Sequence, residues 1–163
     1  MKRLHLIRHA KSSWKDDALA DHQRPLKGRG RKDAALMAPA MVKAGWLESA
    51  LHCSTAERAR ETLALIQAAV PQDRRQAHYH DALYTFSGDD LADWLRCRQE
   101  PDITLVGHNP ALHELHEWLS GDCLVNFPTC AYSQLTLDVR KWEYIEAGCA
   151  RVEAHITPRM LKS

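Results

Sequence analysis

Two arginines and two histidines carry the chemistry most visible in this sequence: Arg8, His9, Arg58 and His108. Arg8-His9 follows the short apolar stretch Lys2–Ile7. Arg58 follows Ser49–Cys53, and His108 follows Asp102–Val106. Each stretch reads as a strand, and each gives way to a turn or a helical segment. In open α/β sheets, sites form at the carboxyl ends of strands, so side chains far apart in sequence can meet there. Two arginines and two histidines around one point suit a phosphoryl group. A guanidinium presents a planar fork of donors that matches phosphate oxygens, and backbone N–H groups at helix starts add more. A lone histidine after a strand is more often structural, and Arg58 alone could be a solvated helix residue. Position separates Arg58 from Arg60. The former falls in the first helical turn, whereas the latter lies about 200° further round the helix and points elsewhere.

The elements that must position these residues alternate strand with helix. After Lys2–Ile7 comes a polar, irregular stretch, Ala10–Lys27. Gly28–Trp46 has helical spacing of Ala34, Ala35, Met37, Ala38, Met41 and Val42, with Gly45 as a stop. Ser54–Val70 is a strong helix ended by Pro71, and Ser54 with Glu57 has capping-box spacing. Ala77–His80 is a short strand. Ser87–Cys97 is a helix with Ser87 as N-cap and Asp89 and Asp90 in its first turn. Gly107-His108-Asn109-Pro110 turns into a helix with Asn109 as N-cap and Pro110 in the first helical position, running to about Leu119. Ala131–Leu137 and Tyr144–His155 read as a closing pair of strands. This order predicts a three-layer α/β/α sandwich whose sheet is mostly parallel with an antiparallel edge.

Composition bounds the function. The chain has 163 residues, a single-domain length over 1–163. Its 22 Lys+Arg balance 21 Asp+Glu, which argues against a nucleic-acid partner held by a broad basic field. No apolar run reaches the ~18 residues of a membrane span, and the basic start at Lys2 and Arg3 leads into His5, Arg8 and His9 rather than a signal peptide. A cytoplasmic monomer is the expectation. Five cysteines with no CxxC pair read as small buried hydrophobes, not as a disulfide framework or zinc site. Metal catalysis would have to use His78-x-His80 or His113-Glu114-Leu115-His116. The second has i, i+3 spacing rather than the i, i+4 of zinc proteases. No metal or other cofactor is therefore expected. Trp46, Trp94 and Trp118 read as core or interface anchors, and Trp14 as a candidate pocket wall.

Three blocks in order give a resemblance to a known family. Leu-Ile-Arg-His-Ala, Cys-Ser-Thr-Ala-Glu-Arg-Ala-Arg-Glu-Thr and Gly-His-Asn-Pro resemble the histidine phosphatase superfamily, whose fold is phosphoglycerate-mutase-like. Within it, the short length, Arg8-His9-Ala10-Lys11-Ser12-Ser13-Trp14 and Arg24-Pro25-Leu26-x-x-x-Gly30 resemble the SixA-type phosphohistidine phosphatases. One departure is Ala10, where the superfamily commonly has Gly.

The resemblance implies a role for each residue. His9 would be the nucleophile, attacking phosphorus to form a phosphohistidine that water hydrolyses. Neighbouring Arg8 and Arg58 would keep its ring neutral and clamp the phosphoryl oxygens. His108 would donate to a phosphoryl oxygen, as imidazolium beside the dianion. Arg24, Lys11 and Ser12 are weaker candidates for substrate binding. Mutase-like relatives carry a Glu acid two residues after a Leu resembling Leu83, but here that position is Thr85. A phosphohistidine needs less help, because its leaving imidazole has a conjugate acid of pKa roughly 6.5. Asp81, Tyr84 and the Asp16-Asp17 loop remain open as substitute acids. With Arg8 and Arg58 at one point and no carboxylate at the donor offset, the pocket is expected to be strongly cationic. The expected activity is that of a metal-independent phosphatase acting on a phosphorylated substrate, with protein phosphohistidine preferred. A small phosphoester or phosphoanhydride is the alternative, and a non-catalytic phosphate-binding module the remote one.

Overall fold

The structure is a computed structural model and describes residues 1–162. Six strands form one sheet: β1 (Lys2–Arg8), β2 (Ala50–Ser54), β3 (Ala77–His80), β4 (Asp102–Gly107), β5 (Tyr132–Leu137) and β6 (Ala150–Ile156), in the order β3-β2-β4-β1-β5-β6. The first four are mutually parallel, whereas β5 runs antiparallel to β1, and β6 to β5. Five helices accompany them: α1 (Gly28–Lys43), α2 (Glu57–Ala68), α3 (Gly88–Arg96), α4 (Ala111–Ser120) and the short α5 (Pro158–Leu161).

Side-chain alternation along β1 creates the layers. Leu4 and Leu6 enter a core with α3 and α4, built on Leu91, Leu95, Leu112 and Leu115. Ile7 enters the opposite core with α1 and α2, built on Met37, Met41, Leu63, Ile66 and Trp46. Covering both faces keeps the centres of the inner strands continuously buried, including His5 of β1 and Thr104 of β4. The mostly parallel α/β sandwich with an antiparallel edge is therefore what forms. Trp46 is fully buried, while Trp94 and Trp118 lie half-buried against the α3/α4 core.

Local details depart from the sequence expectations. The Ser54–Glu57 capping box does not form: Ser54 is the last residue of β2, and α2 starts at Glu57 behind Ala56, without a side-chain cap. The Ser54 hydroxyl instead accepts from the Ala56 N–H at 3.2 Å and bonds the His108 ring. Ser87 also precedes its helix without capping it, because the Glu114 side chain takes the Gly88 N–H at 2.8 Å. Pro110 sits at the N-cap position of α4 rather than inside the helix, yet the Asn109 side chain still accepts from the His113 N–H at 3.2 Å. The last strand is shorter than the expected Tyr144–His155, because Trp142–Tyr144 forms a 3-10 turn anchored by buried Trp142.

Candidate active site

His9 lies one residue beyond β1. Its N–H donates to the Gly107 carbonyl at the end of β4 (3.0 Å), and its carbonyl accepts from Cys130 N–H, also at 3.0 Å. The next N–H, of Ala10, donates to Thr62 Oγ1 at 2.9 Å, and that hydroxyl donates to the Arg58 carbonyl at 2.7 Å. Thr62 thus fixes the distance between the histidine loop and the first turn of α2. The His9 ring is buried, and its Nδ1 lies 2.7 Å from the Ala10 carbonyl. A carbonyl can only accept, so Nδ1 carries the proton and Nε2 presents a lone pair. Burial, reinforced by Arg58, Arg8 and Arg24, lowers the His9 pKa to about 3, although the Ala10 carbonyl pulls the other way. His9 is neutral at any ordinary pH.

His108 packs beside it, the ring centroids 5.4 Å apart. Its Nε2 lies 2.8 Å from Ser54 Oγ. Nδ1 is buried with no partner among the described residues, as are Arg8 Nε and Arg58 Nε. A buried donor without a partner costs about 1–3 kcal/mol, so this grouping is suited to a ligand rich in acceptors. Burial, with His9 and Arg58, also brings the His108 pKa to about 3. By itself this surrounding holds the His108 ring neutral. Only the negative charge of a bound phosphoryl group would favour its cation.

The largest correction concerns Asp21, which sequence reasoning missed. It sits in a 3-10 turn, Asp21–Gln23, within the irregular loop. Arg58 Nη2 donates to Asp21 Oδ2 at 3.0 Å and Nη1 to its carbonyl at 2.7 Å. Arg24 Nε donates to Oδ1 at 3.1 Å, and the Tyr84 hydroxyl to Oδ2 at 2.6 Å. Partial burial raises the Asp21 pKa, but the bonds from Tyr84, Arg58 and Arg24 prevail and bring it down to about 2. The pocket is cationic with a carboxylate built into its frame. The only sequence signal was Asp21 standing three residues before Arg24, a spacing too common to decode.

The structure brings Arg8, His9, Arg58, His108 and Arg24 together. Arg8 Nη1 donates to the Phe127 carbonyl at 3.2 Å, and burial and Arg58 both lower its pKa. Arg24 is buried, donates to Ser12 Oγ at 2.9 Å, and lies 3.4 Å from the centroid of the Trp14 ring. Ser12 therefore orients Arg24 instead of pointing freely into the pocket. Lys11 has an exposed side chain, and its structural contribution is its backbone, whose carbonyl accepts from the Lys27 N–H at 2.9 Å. Arg60 stands outside, donating to the Thr55 carbonyl and covering Tyr79. Among the described residues, no group of three or more His, Cys, Asp or Glu side chains could hold a metal ion. Among the described residues, no helix is long and apolar enough to cross a membrane.

Comparison with known proteins decides the family. The model of the histidine phosphatase superfamily (branch 1) matches residues 4–86, about half of the chain. The chain belongs to the histidine phosphatase superfamily. Among the proteins it is similar to, an uncharacterised chloroplastic protein of Arabidopsis thaliana is 35% identical, over 87% of this chain and 69% of the other. An uncharacterised protein of Mycobacterium tuberculosis is 34% identical, over 94% of this chain and the whole of its own. Solved superfamily structures of the SixA type share the fold. One is the protein histidine phosphatase SixA complexed with tungstate, with a TM-score of 0.79 at 22% identity, covering 98% of this chain and 99% of that one. A mycobacterial glucosyl-3-phosphoglycerate phosphatase is similar at a TM-score of 0.66 and 13% identity, covering 94% and 98%.

Proposed function

We propose that the protein is a phosphatase that passes the phosphoryl group of its substrate through His9 Nε2, with protein phosphohistidine as the preferred substrate. One observation carries this reading: the Nδ1–H bond of His9 to the Ala10 carbonyl. It leaves Nε2 as the free nucleophilic atom. When Nε2 takes the phosphoryl group, Nδ1 keeps its proton, and the Ala10 carbonyl faces the resulting cationic ring. Attack by water then releases His9 as a neutral imidazole, a good leaving group that needs no further acid. Arg8, Arg58 and His108 supply donors for the phosphoryl oxygens at a site where their charge is worth more than in water.

The substrate preference rests on Thr85, whose hydroxyl cannot act as an acid and is tied to Asp90 Oδ2 at 2.6 Å. Expelling an alkoxide without an acid is slow, whereas imidazole departs readily once protonated. The test is a rate comparison across a phosphohistidine protein, sugar phosphates and nucleotides, with radiolabelled phosphate trapped on the enzyme. The expected result is fastest turnover of phosphohistidine, with an acid-labile label on His9. His9→Ala should abolish both label and turnover. Wild-type rates from that variant would overturn the mechanism, and faster turnover of a phosphoester would overturn the substrate preference.

A further inference from the structure

A hydrogen-bonded chain stands on the rim of the pocket, with no role in the steps above. Thr55 Oγ1 lies 2.7 Å from Asp81 Oδ1 and 2.8 Å from His22 Nε2. The carboxylate can only accept, so the single hydroxyl proton of Thr55 goes to Asp81. Thr55 must then accept from His22, whose Nε2 carries a proton. The chain Asp81–Thr55–His22 thereby fixes the ring and turns the function of exchanging a proton over to Nδ1. The His22 ring packs edge-on against Tyr84 at 4.8 Å, and Tyr84 packs edge-on against His108 at 5.4 Å. Asp21, the neighbour of His22, bonds Arg58, and Ser54, the neighbour of Thr55, bonds His108. The chain is therefore tied to the phosphoryl site beside His22 and beside Thr55. It lines a cleft with Gln23, Glu57 and Arg60.

We propose that His22 is the proton donor to the leaving group, held by Thr55 and Asp81, and specific for a phosphorylated imidazole. This rests on the phosphohistidine reading above. The chemistry explains why a donor on the rim would serve. An ester leaves through its bridging oxygen, so its acid must stand beside phosphorus, and the position at which mutase-like relatives carry that acid is Thr85 here. A phosphoimidazole takes its proton on the ring nitrogen that is not bonded to phosphorus, on the outward side. As His9 Nε2 bonds to phosphorus, the substrate P–N bond breaks and its electron pair stays on the imidazole. That ring accepts the proton from Nδ1 of protonated His22 and leaves neutral, and His22 regains a proton from solvent. Tyr84 and Asp81 are not rival donors: the Tyr84 hydroxyl is committed to Asp21, and Asp81 accepts from Thr55.

The experiment compares His22→Gln with the wild-type protein on two substrates. Gln keeps an N–H for Thr55 but cannot act as an acid. One substrate is a phosphohistidine peptide, and the other is p-nitrophenyl phosphate, whose leaving group needs no proton. The expected result is a loss of about tenfold or more on the peptide, the scale of a general acid, with an unchanged rate on the aryl ester that also certifies folding. Thr55→Val should show a smaller loss on the peptide alone. Equal losses on both substrates, or none on the peptide, would overturn the role of His22 while leaving the phosphohistidine reading intact. A wild-type protein active on the aryl ester but not on the peptide would overturn both.

Discussion

At the residue scale, the site works through enforced neutrality of histidines and enforced orientation of arginines. His9 titrates near 3, well below the ordinary 6.5 of histidine. Its nucleophilic form is the neutral one, so lowering the pH does not remove it until that region. Turnover of p-nitrophenyl phosphate, corrected for substrate ionisation, should have kcat/KM flat between about pH 8 and pH 5 with respect to His9. An acid limb near pH 6.5 in that corrected profile would contradict this. Arg58→Ala should cost about 10²-fold or more in kcat, as loss of a preorganised charge does elsewhere; an effect below about twofold would remove Arg58 from the site. Asp21 acts through Arg58 and Arg24. Asp21→Asn should lower kcat about tenfold, the scale of one charge-assisted bond, while inorganic phosphate inhibits more strongly because the pocket gains net positive charge. Steady-state kinetics with phosphate as inhibitor separate the two effects.

At the scale of elements, the packing of α1 against the loop after β1 sets the pocket. Gly30, in the first turn of α1, passes so close to Lys11 that a Cβ there would overlap the Lys11 carbonyl oxygen and stand 2.9 Å from its nitrogen. Both atoms are backbone and cannot swing aside. This close approach is the physical meaning of the glycine in Arg24-Pro25-Leu26-x-x-x-Gly30. It is reinforced by the antiparallel bridge between Ser12 and Leu26, and by Glu61 of α2 accepting from the Leu26 N–H at 2.9 Å. Gly30→Ala should cost about 1–3 kcal/mol, the range for overpacking, and lower kcat with it, because the shift reaches the His9 loop directly. Urea denaturation read alongside turnover tests this; an unchanged midpoint would show that α1 can retreat freely.

At the scale of the whole molecule, buried histidines make stability depend on pH. Burial lowers the pKa of His9 and His108 to about 3, and that of His116 to about 4. In the unfolded chain these rings titrate near 6.5. Between those values the unfolded state binds more protons, so stability is full above about pH 6.5 and falls as pH drops toward 4. His116 is the clearest case for a test, because it is none of the pocket residues and both its ring nitrogens are buried without a partner among the described residues. His116→Leu should raise stability by about 1 kcal/mol or more near neutrality, by removing unsatisfied polar atoms. The gain should widen at pH 5, where the native histidine opposes folding. Thermal melts at the two pH values measure it, and a gain that shrinks on acidification would refute the account.

The sequence by itself determined the alternation of strands and helices and the three blocks Arg8-His9, Arg58 and His108. These are local signals: apolar periodicity marks the elements, and the carboxyl ends of parallel strands are where an α/β sheet gathers polar side chains. The family resemblance adds that Thr85 stands where mutase-like relatives carry an acid. Only the tertiary structure decided what each polar group does. Ser54 reads as a helix cap in sequence but bonds His108, because β2 runs one residue further than its apolar core suggests. Ser12 supports Arg24, and the Lys11 side chain stays in solvent. Asp21 and His22 lie in a loop without periodicity, and apart from Arg24 their side-chain partners are 33 to 63 residues away. Hydrogen bonds across such separations leave no spacing in the chain, and only the folded packing of loop on helix brings the charges together.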